Sequence, residues 1–196
     1  MSTATLPAAP RRTPPHRWTV PEFHRLCSLG MFAGRRPVLL NGVILEQGPM
    51  DSPHGNGVER TDTVVRAAFG AGWRFRVQLP LVLSLHTDPM PDIAVVAGAL
   101  AGNPGHPTTA ALVIEVADTT FDTDTTEKAE LYATAGIADY WVLDVDNREL
   151  HVFRAPRPSA SLGVTAYYTH SVLKPGDTVS PLAVPGVAVR VADLLP

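Results

Sequence analysis

Three side chains in this sequence stand where packing alone would not put them, and together they are suited to phosphoryl chemistry. Glu115 interrupts the apolar run Leu112-Val113-Ile114-Val116, which has the pattern of a strand buried on both faces. A carboxylate there costs several kcal/mol unless it is paired or protonated. Asp92 follows Pro91 and opens a second apolar stretch, Ile93 to Val96. Lys128 shares a helical face with Leu131, Tyr132 and Ala135, at the i, i+3, i+4 and i+7 positions, so it sits on the apolar stripe. Each has an ordinary reading as well: a paired core carboxylate, turn chemistry after proline, and a lysine whose stem snorkels to water.

Two carboxylates held close repel each other unless a cation neutralises them. Oxygen donors of this kind suit Mg²⁺ or Mn²⁺ with several retained waters. An ion so held activates water and stabilises charge on a phosphoryl group. The amine of Lys128 would orient or deprotonate the attacking water, or hold the phosphate.

The elements that must carry these residues are legible in outline. Residues 1–17, mostly Pro, Ala, Thr and Arg, read as a disordered tail, leaving 18–196 as one domain. Thr19 and Glu22 make a capping box, flanked by Trp18 and Phe23 as a hydrophobic staple, for a helix running to about Leu29. Asn41-Gly42 predicts a tight hairpin between Val38–Leu40 and Val43–Leu45, with Glu46 at its far end. The stretch GPMDSPHGNG reads as loop, and a helix follows from Val58 to Gly70. Alternation from Trp73 to Leu79 gives a half-buried strand, extended by Leu81 to Leu85 after Pro80. Strands are expected over Asp92–Val96 and Leu112–Val116, separated by a loop at 98–110. A helix from Asp124 to Gly136 comes next, then a hairpin of Tyr140–Val145 and Glu149–Phe153, and late strands at Val164–His170 and Val187–Val191.

Bulk properties narrow the choice of function. A 45% hydrophobic, 18% charged chain of 196 residues is globular, and its net charge of −3 argues against a strongly basic nucleic-acid clamp. The single cysteine, Cys27, excludes an internal disulfide or a cysteine-rich zinc site and reads as filling the apolar side of the first helix. No apolar run approaches the roughly 18 residues that cross a bilayer. The N-terminus lacks the apolar core of a secretory signal, so a cytoplasmic protein without a membrane partner is expected. The histidines show no metal-ligand spacing, and His54 reads as a plain loop residue, with help in binding phosphate as the alternative. Arg74 and Arg76 share one strand face, either as a solvated face or as contacts to a nucleic-acid backbone.

At MPDIAVV, LVIEVAD and DTTEKAELYATAGIADYWVLDV the sequence resembles the Uma-two family of endonucleases, within the restriction-endonuclease-like superfamily whose signature is PD…(D/E)xK. RWTVPEF and LLNGVILEQGPMDSPH also fit that family's layout, and coverage runs from about Trp18 to the C-terminus. The resemblance implies an α/β restriction-endonuclease-like core, a mixed β-sheet flanked by helices, preceded by an N-terminal helix and β-hairpin. It also implies metal-dependent cleavage of nucleic acid, with DNA the first expectation. Asp92 and Glu115 match the metal-binding acids. Ala117 stands where the usual lysine would be, and Lys128 on the next helix takes its place, with Asp124 matching the family's Asp before that lysine. Glu46 matches an acidic position near the hairpin, whereas Val38, Asn41 and Val43 depart from acids frequent in relatives. The alternatives left open are a non-catalytic nucleic-acid- or protein-binding module on the same scaffold, and a self-associating protein, such as a homo-oligomer, in which Glu115 and Lys128 are only an internal ion pair.

Overall fold

The computed structural model describes residues 13–48, 52–99, 105–161 and 163–196. Of the expected tail, residues 1–12 lie outside these; 13–19 form no helix or strand. The end of that segment is docked, since the Trp18 amide donates to the Gly42 carbonyl at 2.9 Å.

Helix α1, Val20–Ser28, starts where the capping box predicts: the Thr19 side chain accepts from the Glu22 amide, and the Glu22 carboxylate accepts from the Thr19 amide. Trp18 and Phe23 pack in a small cluster with Val20 and Leu39. Cys27 is exposed, contrary to the apolar-side expectation; the short helix buries only Val20 and Phe23. Strands β1 (Pro37–Leu40) and β2 (Val43–Glu46) form the hairpin, with Asn41 and Gly42 at φ of 50° and 81°, the left-handed pair this turn requires.

Helix α2 spans Ser52–Phe69, six residues earlier than the sequence suggests. Pro53 stands in its first turn, where a missing N–H costs nothing. Gly57 is there for contact rather than flexibility: a Cβ at that position would lie 2.9 Å from the Val116 Cγ1. The helix therefore lies against the strand that carries Glu115.

The main sheet has six strands in the order β3-β4-β5-β6-β7-β8: Trp73–Val77, Ile93–Ala97, Leu112–Ala117, Asp139–Asp144, Glu149–Ser159 and Val164–Leu173. Neighbours are antiparallel except β5 and β6, which are parallel. That parallel pair needs a crossover, which consists of α3 (Phe121–Thr125) and α4 (Glu127–Thr134). The single helix expected from Asp124 is thus two, broken at Thr126, whose φ of −116° and ψ of −82° leave the helical region. Thr125 and Thr126 both turn their hydroxyls back onto carbonyls of the preceding turn.

Leu81 to Leu85 does not extend β3. The chain leaves the sheet after Val77 at Gln78, with φ of 50°, and makes only isolated bridges, Ser84 with Thr87 and Leu39 with Asp88. The late segment forms the short ribbon β9 (Thr178–Val179) and β10 (Val189–Arg190), and Val191 opens a last helical turn, α5 (Val191–Leu194), instead of ending a strand. One sheet face packs Ile93, Ile114, Trp141 and Leu150 against Val58 and Val65 of α2 and Leu194 of α5. The other packs Ala94, Val113, Tyr140 and Phe153 against Leu131 and Tyr132 of α4. The period of two that separates these faces also aims Glu115 at α4.

Candidate active site

The antiparallel register pairs Ile93 with Ile114. Asp92, just before β4, and Glu115, next along β5, therefore meet where β4 begins. The Val116 amide donates to the Asp92 Oδ2 at 2.9 Å, fixing that carboxylate across the two strands. Across the crossover, Lys128 Nζ lies 3.2 Å from Glu115 Oε2 and 2.7 Å from Asp124 Oδ1. Asp124 and Lys128 are four residues apart across the break at Thr126, the spacing that puts neighbours on one helical face. Asp124 is held by Thr120, whose hydroxyl donates to its Oδ2 at 2.6 Å. Glu115, only 2% exposed, also accepts from the Tyr132 hydroxyl at 2.7 Å.

Burial and crowding set the electrostatics. Burial pushes Glu115 up to about 7; Lys128 opposes this, while Asp92 and Asp124 reinforce it. Asp124 is also raised by burial, with Lys128 pulling the other way. Burial works against the charge on Lys128, but Glu115 and Asp124 outweigh it and hold the ammonium above its ordinary range. Asp92 stays below the usual carboxylate range: burial would raise it, yet the bond to His54, the Val116 amide and Lys128 together prevail.

Two partners of Asp92 went unrecognised in the sequence. His54 Nε2 lies 3.1 Å from Asp92 Oδ1, and the Gln78 side-chain amide donates to the same oxygen at 3.1 Å. The bond to Asp92 raises the His54 pKa despite its burial. His54 belongs to α2, not to a loop. Its position was recoverable: the stripe Val58, Thr61, Val65 and Phe69, carried back one turn through Pro53, Gly55 and Gly57, reaches His54. Gln78 left no comparable signal, because its role depends on the turn in the chain after β3.

These groups open onto a cavity of about 360 Å³, lined by His54, Gln78, Asp92, Glu115, Asp118 and Lys128 together with Glu46 and Arg36. Glu46 reaches it only from the exposed rim, paired with Arg35 at 3.6 Å. For a hard divalent cation the donors fit in kind, being carboxylates with lone pairs to spare beside a polar cavity. Among the described residues no three His, Cys, Asp or Glu side chains converge to form a ready chelate. An ion held by Asp92 and Glu115 would therefore keep much of its water, as Mg²⁺ commonly does.

A sequence model of the Uma2 family, described as "Putative restriction endonuclease", matches residues 20–192. Among solved structures, a nuclease titled as putative, belonging to DUF820, from Anabaena variabilis ATCC 29413, matches the fold with a TM-score of 0.69. It is 17% identical and the match covers 90% of this chain and 96% of that one. No curated protein matches the sequence. No helix among the described residues is long and apolar enough to cross a membrane.

Proposed function

Because the chain belongs to the Uma2 family, described as "Putative restriction endonuclease", we propose that it is a metal-dependent endonuclease hydrolysing phosphodiester bonds in nucleic acid, with DNA as the first substrate to test. The observation that carries this reading is the convergence of Asp92, Glu115 and Lys128 on one cavity.

Asp92 and Glu115 would hold Mg²⁺ or Mn²⁺, which when bound supplies Lewis-acid activation of water and neutralises charge on the phosphoryl oxygens. The remaining work belongs to the chain. With carboxylates of Glu115 and Asp124 against it, Lys128 stays an ammonium. It therefore donates a hydrogen bond to the scissile phosphate or the attacking water instead of removing a proton. Asp124 and Glu115 fix its direction, so little reorganisation is needed as charge develops. His54 and Gln78 hold one oxygen of Asp92 and the Val116 amide the other, a fixed orientation of the kind that keeps ligands preorganised.

The test is cleavage of single-stranded DNA, duplex DNA and RNA with Mg²⁺, Mn²⁺ or EDTA, by the wild type and by Asp92→Asn and Lys128→Met variants whose folding is checked by circular dichroism. Metal-dependent cleavage lost in both folded variants is the expected result. No cleavage under any metal overturns the reading. Salt-sensitive nucleic-acid binding that survives both substitutions would then assign a binding module on the same scaffold.

A further inference from the structure

Beside the candidate active site lies a second cavity, of about 470 Å³, between α1, the start of β1 and the segment from Gln78 to Met90. Arg36 and Gln78 line both cavities, so the two adjoin. The chemistry of the second is different. Asp88, 1% exposed, lines it; its Oδ2 lies 2.7 Å from His24 Nε2, while its Oδ1 is buried with no hydrogen-bond partner among the described residues. A buried carboxylate oxygen left without a donor is costly and uncommon. The neighbouring walls are Phe23, Met90 and the His106 ring. His106 Nδ1 faces Arg76 Nη2 at 3.0 Å; an arginine can only donate, so this nitrogen is an acceptor and the ring presents no positive charge through it. Arg36 makes no ion pair among the described residues.

A carboxylate acceptor among apolar and ring walls, with a free guanidinium between it and the proposed cleavage site, matches a nucleotide in its parts. We infer that this cavity receives a base of the substrate strand next to the scissile phosphate, with Asp88 accepting from an exocyclic amino group and Arg36 holding the intervening phosphate. The inference rests on the nuclease reading and names what that site would recognise. Carboxylates accept from the cytosine amino group in the same way at base edges. Thymine offers its ring N–H only between two carbonyl oxygens, which a carboxylate repels. A base can enter such a cavity only from a single strand or after extrusion from a duplex.

Cys27 gives a readout independent of cleavage, because it is the one cysteine of the chain, is exposed, and lines this cavity. The experiment measures how far short single-stranded oligo-dC and oligo-dT slow maleimide labelling of Cys27 in the full chain in EDTA. In parallel, fluorescence anisotropy gives the affinity of each. Oligo-dC is expected to bind about tenfold more tightly than oligo-dT, within the discrimination one good base contact supplies, and to protect Cys27 at lower concentration. Asp88→Asn should remove the preference while retaining the fold. Arg36→Ala should weaken both oligonucleotides alike and flatten the salt dependence. Equal affinities and no protection, with metal-dependent cleavage intact, would overturn the base pocket alone and leave Asp88 Oδ1 to an ordered water. Absence of both binding and cleavage would overturn the nuclease reading as well. Displacement of oligo-dC by an equal concentration of free dCMP would assign the cavity to a mononucleotide and overturn its place on the strand.

Discussion

Two of the clusters of buried charge on this sheet are built differently. At the start of β6, Asp139 is 0% exposed and faces Arg154 across the β6–β7 pair. Its Oδ1 accepts from Arg154 Nε and Trp141 Nε1, both at 2.8 Å, and its Oδ2 from the Leu182 amide at 2.8 Å. Arg154 spends its Nη2 on the Ser180 carbonyl at 2.7 Å. One negative group meets one positive group, every oxygen has a donor, and the pair pins the C-terminal segment to the sheet. At the end of β5 one ammonium, Lys128, serves Glu115 and Asp124, with Asp92 beside them and a cavity in front. Burial and pairing are common to both clusters. What separates them is an excess of carboxylates next to open space, the setting in which the proposed function would place a cation.

The largest effect should come from the balanced pair. Asp139→Ala strands a half-buried guanidinium and leaves the Trp141 and Leu182 donors without their acceptor, and should cost about 3 kcal/mol in urea unfolding, with cleavage per folded molecule unchanged; a loss near zero would erase the distinction from the structural side. At the other cluster, Lys128→Met should slow cleavage about 10²–10³-fold, read as initial rates with Mg²⁺. An unaltered rate would make Lys128 as structural as Arg154. Mg²⁺ at a hundred times its dissociation constant should stabilise the wild type by about 2.7 kcal/mol, seen as a rise in melting temperature that Asp92→Asn abolishes. The smallest change is expected from Glu115→Gln, which removes one of the crowded negative charges and retains an acceptor for Tyr132. Its stability should stay within about 0.5 kcal/mol of wild type or rise. Asp139→Asn, the same chemical change at the balanced pair, should lose about 1–3 kcal/mol.

What the sequence disclosed follows the reach of each interaction. The capping box at Thr19, the Asn41-Gly42 turn and the strands around Ile93 and Ile114 are settled by neighbours a few residues away, and all stand where their patterns put them. Glu115 and Lys128 were visible because each violates a local period. His54 was hidden by proline and glycine, which read as a loop until the tight approach of Gly57 to Val116 explains them. Leu81 to Leu85 has the composition of a strand, yet the chain turns away at Gln78 and the segment packs under the hairpin instead. The Asp139–Arg154 pair gave no warning, because Asp139 opens its strand as an ordinary turn acid would and its partner lies on the next strand.

The bare Cα at position 57 has a mechanical consequence. It lets one helix sit flush on the strand whose next residue back is Glu115, and His54 rides on that helix a single turn away. A methyl group there would act as a wedge under a lever, tilting the imidazole from Asp92 without altering any acid or the lysine. Gly57→Ala should therefore behave as a throttle on turnover, set by the size of the inserted group and released by trimming Val116 to Ala in the same chain.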